Sequence, residues 1–213
     1  MRPVTIARRS YHRASEAERR EDLIAATLDC IAEVGIQGAT VRQIAARAGV
    51  TGGLIRHYFS TKDQMLQAAY RQLMSGITET TKTAAEGDSA CTRLRRFIVA
   101  NVTPPVTDSR TLSLWAAFIS HIPLDPAFAA IHRESYMSFL AELEALLIDF
   151  FAERNRNVSA AEIRTYAIAL NGLIDGLWLE GKLAPDLFQD QEIAETAIMS
   201  VEALLRLAPG ELS

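Results

Sequence analysis

The stretch TVRQIAARAGVTGGLIRHYFSTKDQML, residues 40–66, constrains the fold more than any other part of the chain. It contains two short helical patterns joined at Gly49, followed by the start of a third. Thr40 with Gln43 three residues on makes a capping box, in which hydroxyl and amide satisfy free backbone groups reciprocally. Ile44, Ala45 and Ala48 form the inner face of the first helix, and Gly49 supplies the left-handed corner of a tight turn. Thr51 caps the second helix, whose inner residues are Leu54, Ile55 and Tyr58. This is the layout of a helix-turn-helix, whose second helix lies in the major groove of DNA.

The rest of the chain is consistent with that layout. A length of 213 residues buries a sizeable core, and 49% hydrophobic residues with only 7 Pro and 11 Gly favour a helix-rich globular protein. The net charge of −4 conceals an asymmetry. Residues 1–72 carry 11 Lys and Arg against 7 Asp and Glu, while residues 73–213 carry 11 against 19. A basic N-terminal third on an acidic body is the electrostatic footprint of a two-part DNA-binding regulator.

Periodicity predicts an all-α chain of about nine helices. Residues 1–14, with Arg2, Arg8, Arg9, His12 and Arg13, read as a basic arm, either a phosphate or minor-groove contact or a solvated tail. Ser15 and Glu18 cap a first helix with the inner stripe Leu23, Ile24, Thr27, Leu28, Ile31 and Val34, ended by Gly35. Residues 15–72 form the expected DNA-binding domain and 73–213 a helical effector-binding and dimerisation domain. Ser60 is the expected cap of a helix that runs to about Thr83. Further helices are expected near 89–102, 109–121, 126–153, 160–183 and 190–207. Pro104-Pro105 and Pro123 punctuate them, and Asp125-Pro126 and Ser159 with Glu162 read as helix starts. Cys30 and Cys91 form no Cys-x-x-Cys pair and read as buried thiols of a cytoplasmic protein.

The block around Gly49, with the Tyr58-Phe59-x-x-Lys62-x-x-Leu66 run, resembles the DNA-binding half of TetR-family repressors. The resemblance implies a homodimer on a palindromic double-stranded operator, released by a small molecule. It places Thr40, Tyr58 and Lys62 on the DNA backbone and lets Arg42 reach a guanine, whose O6 and N7 match an Arg fork. Thr51, Gly52, Gly53, Arg56 and His57 complete the expected DNA-binding set. Gly52 and Gly53 carry no hydrogen-bonding side chain where relatives place long polar ones. Readout there falls to backbone approach, shape or water.

Late apolar stripes are expected to serve a dimer seam. They are Ile193, Ala197, Ile198, Val201, Leu204, Leu205 and Ala208 on one helix, and Ala169, Gly172, Leu173, Gly176 and Leu177 on the other. Phe97, Trp115, Phe118, Tyr136, Phe139, Tyr166 and Trp178 are expected around one effector cavity, with Asp175 as the acid in an apolar run. An isolated buried carboxylate is costly, so Asp175 calls for a ligand or an arginine such as Arg133 or Arg164. The run around Asp175 also resembles the C-terminal block of BetI-type repressors, which respond to choline. Aromatic faces and an acid suit a quaternary ammonium. Transcriptional activation with the same fold is the alternative.

No enzyme is expected. The chain has no phosphate-binding Gly-x-x-x-x-Gly-Lys, no nucleophile elbow and no His-Glu-x-x-His. His121 and His132 have no flanking ligand cluster and read as surface or capping residues, so neither metal nor cofactor is expected. No apolar run reaches membrane-spanning length, so no membrane partner is expected either.

Overall fold

The computed structural model describes residues 15–184, 186, 188 and 191–212; the basic arm lies outside them. Among the described residues the chain is all-α, as expected. Its helices are α1 (Glu16–Gly38), α2 (Val41–Arg47), α3 (Gly52–Tyr58), α4 (Lys62–Ala84), α5 (Ala90–Asn101), α6 (Ser109–Ile119), α7 (Pro126–Glu153), α8 (Ala160–Leu183) and α9 (Glu192–Leu205).

The helix starts follow local chemistry. Ser15, Thr40 and Ser159 form complete capping boxes with Glu18, Gln43 and Glu162. Asp125 accepts from the Ala127 amide at 2.8 Å, with Pro126 in the first turn of α7. One start differs from expectation. Thr61, not Ser60, caps α4 by accepting from the Gln64 amide, while the Ser60 amide donates to Gln64 Oε1. Both positions carry a hydroxyl, and the Gln64 side chain folds back over the pair.

The end of α2 depends on a left-handed glycine. After α2 the Val50 amide donates to Ala45 O at 2.9 Å and the Gly49 amide to Ala46 O at 3.3 Å, with Gly49 at φ +64°. That double closure turns the chain sharply enough to set α3 against α2. Gly35 also has positive φ, +71°, but it kinks α1 rather than ending it, because the Ala39 amide still finds Gly35 O. Val34, expected inside, stands exposed before that kink.

Leu23, Ile24 and Ile31 of α1 pack with Ile44 and Ala45 of α2, Ile55 of α3 and Met65 of α4 in one core. The same core continues into the body through Tyr70, Phe97, Phe118, Leu143, Phe150 and Ile174. The expected seam stripe divides. Ala197, Ile198, Val201 and Leu205 of α9 are buried within the protomer, whereas Leu204, Ala208, Gly172 and Gly176 remain exposed. Helical spacing alone does not say which side of a two-sided apolar helix meets its own chain. Cys30 is buried and Cys91 half-buried, both as free thiols.

Candidate nucleic-acid interface and body cavity

The helix-turn-helix turns its apolar residues inward and its polar ones outward. Ile44, Ala45, Ile55 and Phe59 are buried, with Arg20 stacked over the Phe59 ring at 5.1 Å. Thr40, Arg42, Thr51, Gly53, Arg56 and His57 are exposed, and Gly52, Tyr58 and Lys62 are half-buried. The Thr40 and Thr51 hydroxyls accept the Gln43 and Leu54 amides, both at 3.3 Å, so each marks a helix N-terminus. Such termini favour anions. Lys62 Nζ lies 3.4 Å from Ile36 O, which holds it across the end of α1. The guanidinium groups of Arg42 and Arg56 make no hydrogen bond or ion pair with any described residue, leaving both available. Arg47, by contrast, is paired with Glu33. Within residues 15–72 cations and acids are equal in number, seven each, so the surplus of the N-terminal third comes from Arg2, Arg8, Arg9 and Arg13. What distinguishes this face is segregation: Glu16, Glu18, Glu21 and Asp22 lie in the first turns of α1, while α2 and α3 carry no acid.

In the body, α4 to α8 enclose a cavity of about 130 Å³. Trp115, Tyr136, Phe139 and Trp178 supply aromatic faces, and Thr78, Asn101, His132, Ser135, Asn171 and Asp175 supply polar atoms. Trp115 and Trp178 meet edge to face at 5.9 Å. Trp178 donates its indole N–H to Asn101 O, and Asn101 donates its amide to Phe97 O at 2.8 Å, leaving Asn101 Oδ1 without a donor among the described residues. Asp175 accepts from Asn171 Nδ2 at 3.1 Å. Burial pushes the Asp175 carboxyl above its usual range, and the Asn171 bond offsets part of that rise.

His132 sits in the cavity wall, not on the surface as expected. Its Nδ1 is 2.9 Å from the Tyr70 hydroxyl on α4. Burial pushes the Tyr70 phenol up to about 12 and the His132 imidazole down, so both are neutral near pH 7. A phenol donating to Nδ1 leaves Nε2–H as the free donor of the ring. His121 matches expectation better, capping the end of α6 at 3.2 Å from Ala117 O.

Two family models match the chain: bacterial regulatory proteins of the tetR family over residues 23–69, and the C-terminal region of BetI-type transcriptional repressors over residues 90–206. The HTH-type transcriptional regulator BetI of Serratia proteamaculans is 36% identical over 184 residues, which is 84% of this chain and 88% of that protein. The chain belongs to the TetR family. Its C-terminal part is of the BetI type, and it is a DNA-binding transcriptional regulator. BetI of Stenotrophomonas maltophilia is 31% identical over 195 residues, covering 91% of this chain and 96% of its own. Among solved structures, a transcriptional regulator of Pseudomonas aeruginosa PAO1 superposes with a TM-score of 0.78 at 31% identity, over 91% of each chain. A regulator of Saccharomonospora viridis in complex with choline shares the fold, with a TM-score of 0.74 at 17% identity over 88% of this chain and 97% of that one.

Within this TetR-family body, five of the eight residues expected around a cavity line one: Trp115, Tyr136, Phe139, Asp175 and Trp178. Three do not. Phe97 is fully buried behind Phe139 at 5.4 Å, Phe118 stacks on Tyr70 at 5.0 Å and meets Phe128 at a tilt, and Tyr166 packs on Phe151 at 5.8 Å. Those rings fill the core instead, the ordinary fate of aromatics at helical spacing. The arginines offered as partners for Asp175 are elsewhere: Arg133 is exposed, and Arg164 lies 3.4 Å from Glu144. Asn101, His132 and Asn171 also line the cavity, outside the expected set. Asn171 was the findable one, four residues before Asp175 on the same helix face.

Proposed function

We propose that this regulator is a homodimeric repressor, held on a palindromic operator by α3 and released when a small molecule enters the cavity of the body. The observation that carries the reading is α4. The helix begins at Lys62, beside the helix-turn-helix, and reaches the cavity wall with Met74, Ile77 and Thr78. Those points are about 18–24 Å apart at the rise of an α-helix. The Tyr70 hydroxyl on the same helix is tied to the cavity residue His132. A ligand that displaces His132 therefore acts on the element that ends against the DNA-reading domain. Release requires that the ligand prefer the conformation fitting the operator poorly. The division expected at residues 72 and 73 falls inside α4, which suits one rigid link between sensing and reading.

Dimerisation is supported by an uncovered apolar face. Ile168, Leu179 and Leu183 stand exposed along α8, Leu183 by 72%, with Met199 of α9 exposed by 69%. Gly172 and Gly176 lie in the same row, and a Cβ on either would meet nothing within 4 Å. Large exposed apolar side chains beside small residues fit close approach of a second copy. Arg42 and Arg56 are the base-reading candidates; Thr40, Thr51, Tyr58 and Lys62 are the backbone contacts. Such a protein acts on DNA in the cytoplasm.

A second reading narrows the ligand to a quaternary ammonium. It is favoured by four aromatic faces beside a carboxylate and by the choline-bound relative of like fold.

Footprinting tests the proposal. The protein should protect two half-sites related by a dyad, with centres about 34 Å apart or a multiple of it. Arg42→Ala should reduce discrimination at one symmetric base position by about 1–3 kcal/mol. Uniform weakening on all sequences would make Arg42 a phosphate contact, and protection without a dyad would remove the dimeric reading.

A further inference from the structure

Several glycines of the chain have a reason within the fold. Gly35 and Gly49 adopt positive φ, and a Cβ at Gly38, Gly87 or Gly181 would stand 3.0 Å or less from a neighbouring side chain. Gly52 and Gly53 of α3 have neither reason. Neither has positive φ, and a Cβ would meet only Val41 Cγ1 at 3.9 Å from Gly52 and Thr51 Oγ1 at 3.7 Å from Gly53, ordinary contact distances. An alanine fits both places.

Two glycines matter in so short a helix. α3 has seven residues and buries only Ile55, so packing does little to hold it. Glycine is a poor helix former because it loses more backbone freedom on folding than any other residue. Two in succession weaken this element, and neither backbone geometry nor packing within the protomer calls for them.

The compensation lies outside the protomer. Gly53 is exposed, and Arg56 and His57 follow it by one helical turn, exposed on the same face. α2 and α3 carry no acid, and the guanidinium groups of Arg42 and Arg56 have no partner among the described residues. A side chain of any size at Gly52 or Gly53 would hold the backbone of α3 off the surface it meets.

We propose that Gly52 and Gly53 determine operator specificity by being bare: they let the backbone of α3 lie directly against base edges, which brings Arg56 within reach of them. This inference rests on the reading of α3 as the helix that holds the operator, and it selects close backbone approach over shape or water as the means of readout there. Depth of seating matters only where base edges are met. A non-specific complex, held by phosphate contacts, does not need it.

The test uses the full chain and a duplex that the unaltered protein selects from a random-sequence library, with a scrambled duplex of the same composition for comparison. Gly52→Ala and Gly53→Ala should each raise the melting temperature by about 1–4 °C, because alanine has fewer unfolded conformations to lose. In fluorescence anisotropy the same variants should bind the selected duplex about tenfold or more weakly, and the scrambled one as the unaltered protein does. Gly53→Ser, which adds a hydroxyl able to bond a base, should lose as much as Gly53→Ala, since size rather than chemistry sets the approach. Variants that melt lower would assign the glycines to the fold. Variants that keep their grip on the selected duplex, or that lose both duplexes equally, would deny close approach. Each of these results overturns the inference and leaves the operator reading standing. An unaltered protein that enriches no duplex above the scrambled one would remove that reading, and the inference with it.

Discussion

Asp175 is a carboxylate placed among apolar helices, and its raised pKa has a definite consequence for stability. The folded chain holds the Asp175 proton more tightly than the unfolded chain does. Its contribution is therefore fully present below the unfolded value of about 4 and is lost as pH rises through the folded one. Asp175→Asn should flatten that decline and raise the ligand-free unfolding temperature at neutral pH, measured by thermal melts from acid to neutral conditions. A lower melting temperature at neutral pH would mean that the charge has a stabilising partner. At this scale the sequence showed the anomaly but not its resolution. An acid inside Gly172-Leu173-Ile174-Asp175-Gly176-Leu177 stands out in any reading, whereas Asn101 and His132 come from other helices and reach the cavity only through tertiary packing.

Helix boundaries were legible where a single residue type sets them. Asp125-Pro126 and the Ser159 capping box place α7 and α8 at their expected starts. They were less legible where two chemistries compete, as at Ser60 and Thr61, or where a glycine bends a helix rather than stopping it, as at Gly35. The C-terminus holds a device that periodicity could not show. Glu202, buried on α9, accepts the Leu212 amide at 2.8 Å and the Gly210 amide at 3.1 Å, folding the last residues back onto the body. Glu202→Ala leaves the buried Leu212 amide and the part-buried Gly210 amide without an acceptor and should cost about 1–3 kcal/mol in urea unfolding. A change within experimental error would show that the tail contributes nothing to stability.

Across the whole molecule, the layout of a reading domain and a sensing body could be seen in charge asymmetry and in the motif around Gly49. Which face is left for a second copy could not, because α8 and α9 are apolar on more than one side. The exposed row Ile168, Leu179 and Leu183 settles what the protomer leaves uncovered. Leu179→Glu combined with Leu183→Glu should shift the protein toward monomer in sedimentation equilibrium and weaken operator binding; an unchanged dimer would place the seam elsewhere. The central claim, that exposed cations of the N-terminal third hold a specific duplex against an acidic body, is tested most directly by operator affinity as a function of salt. Between roughly 50 and 200 mM salt, affinity should fall by orders of magnitude, and at fixed salt a scrambled duplex should bind about 10³-fold more weakly or worse. Affinity indifferent to both salt and sequence would contradict the account.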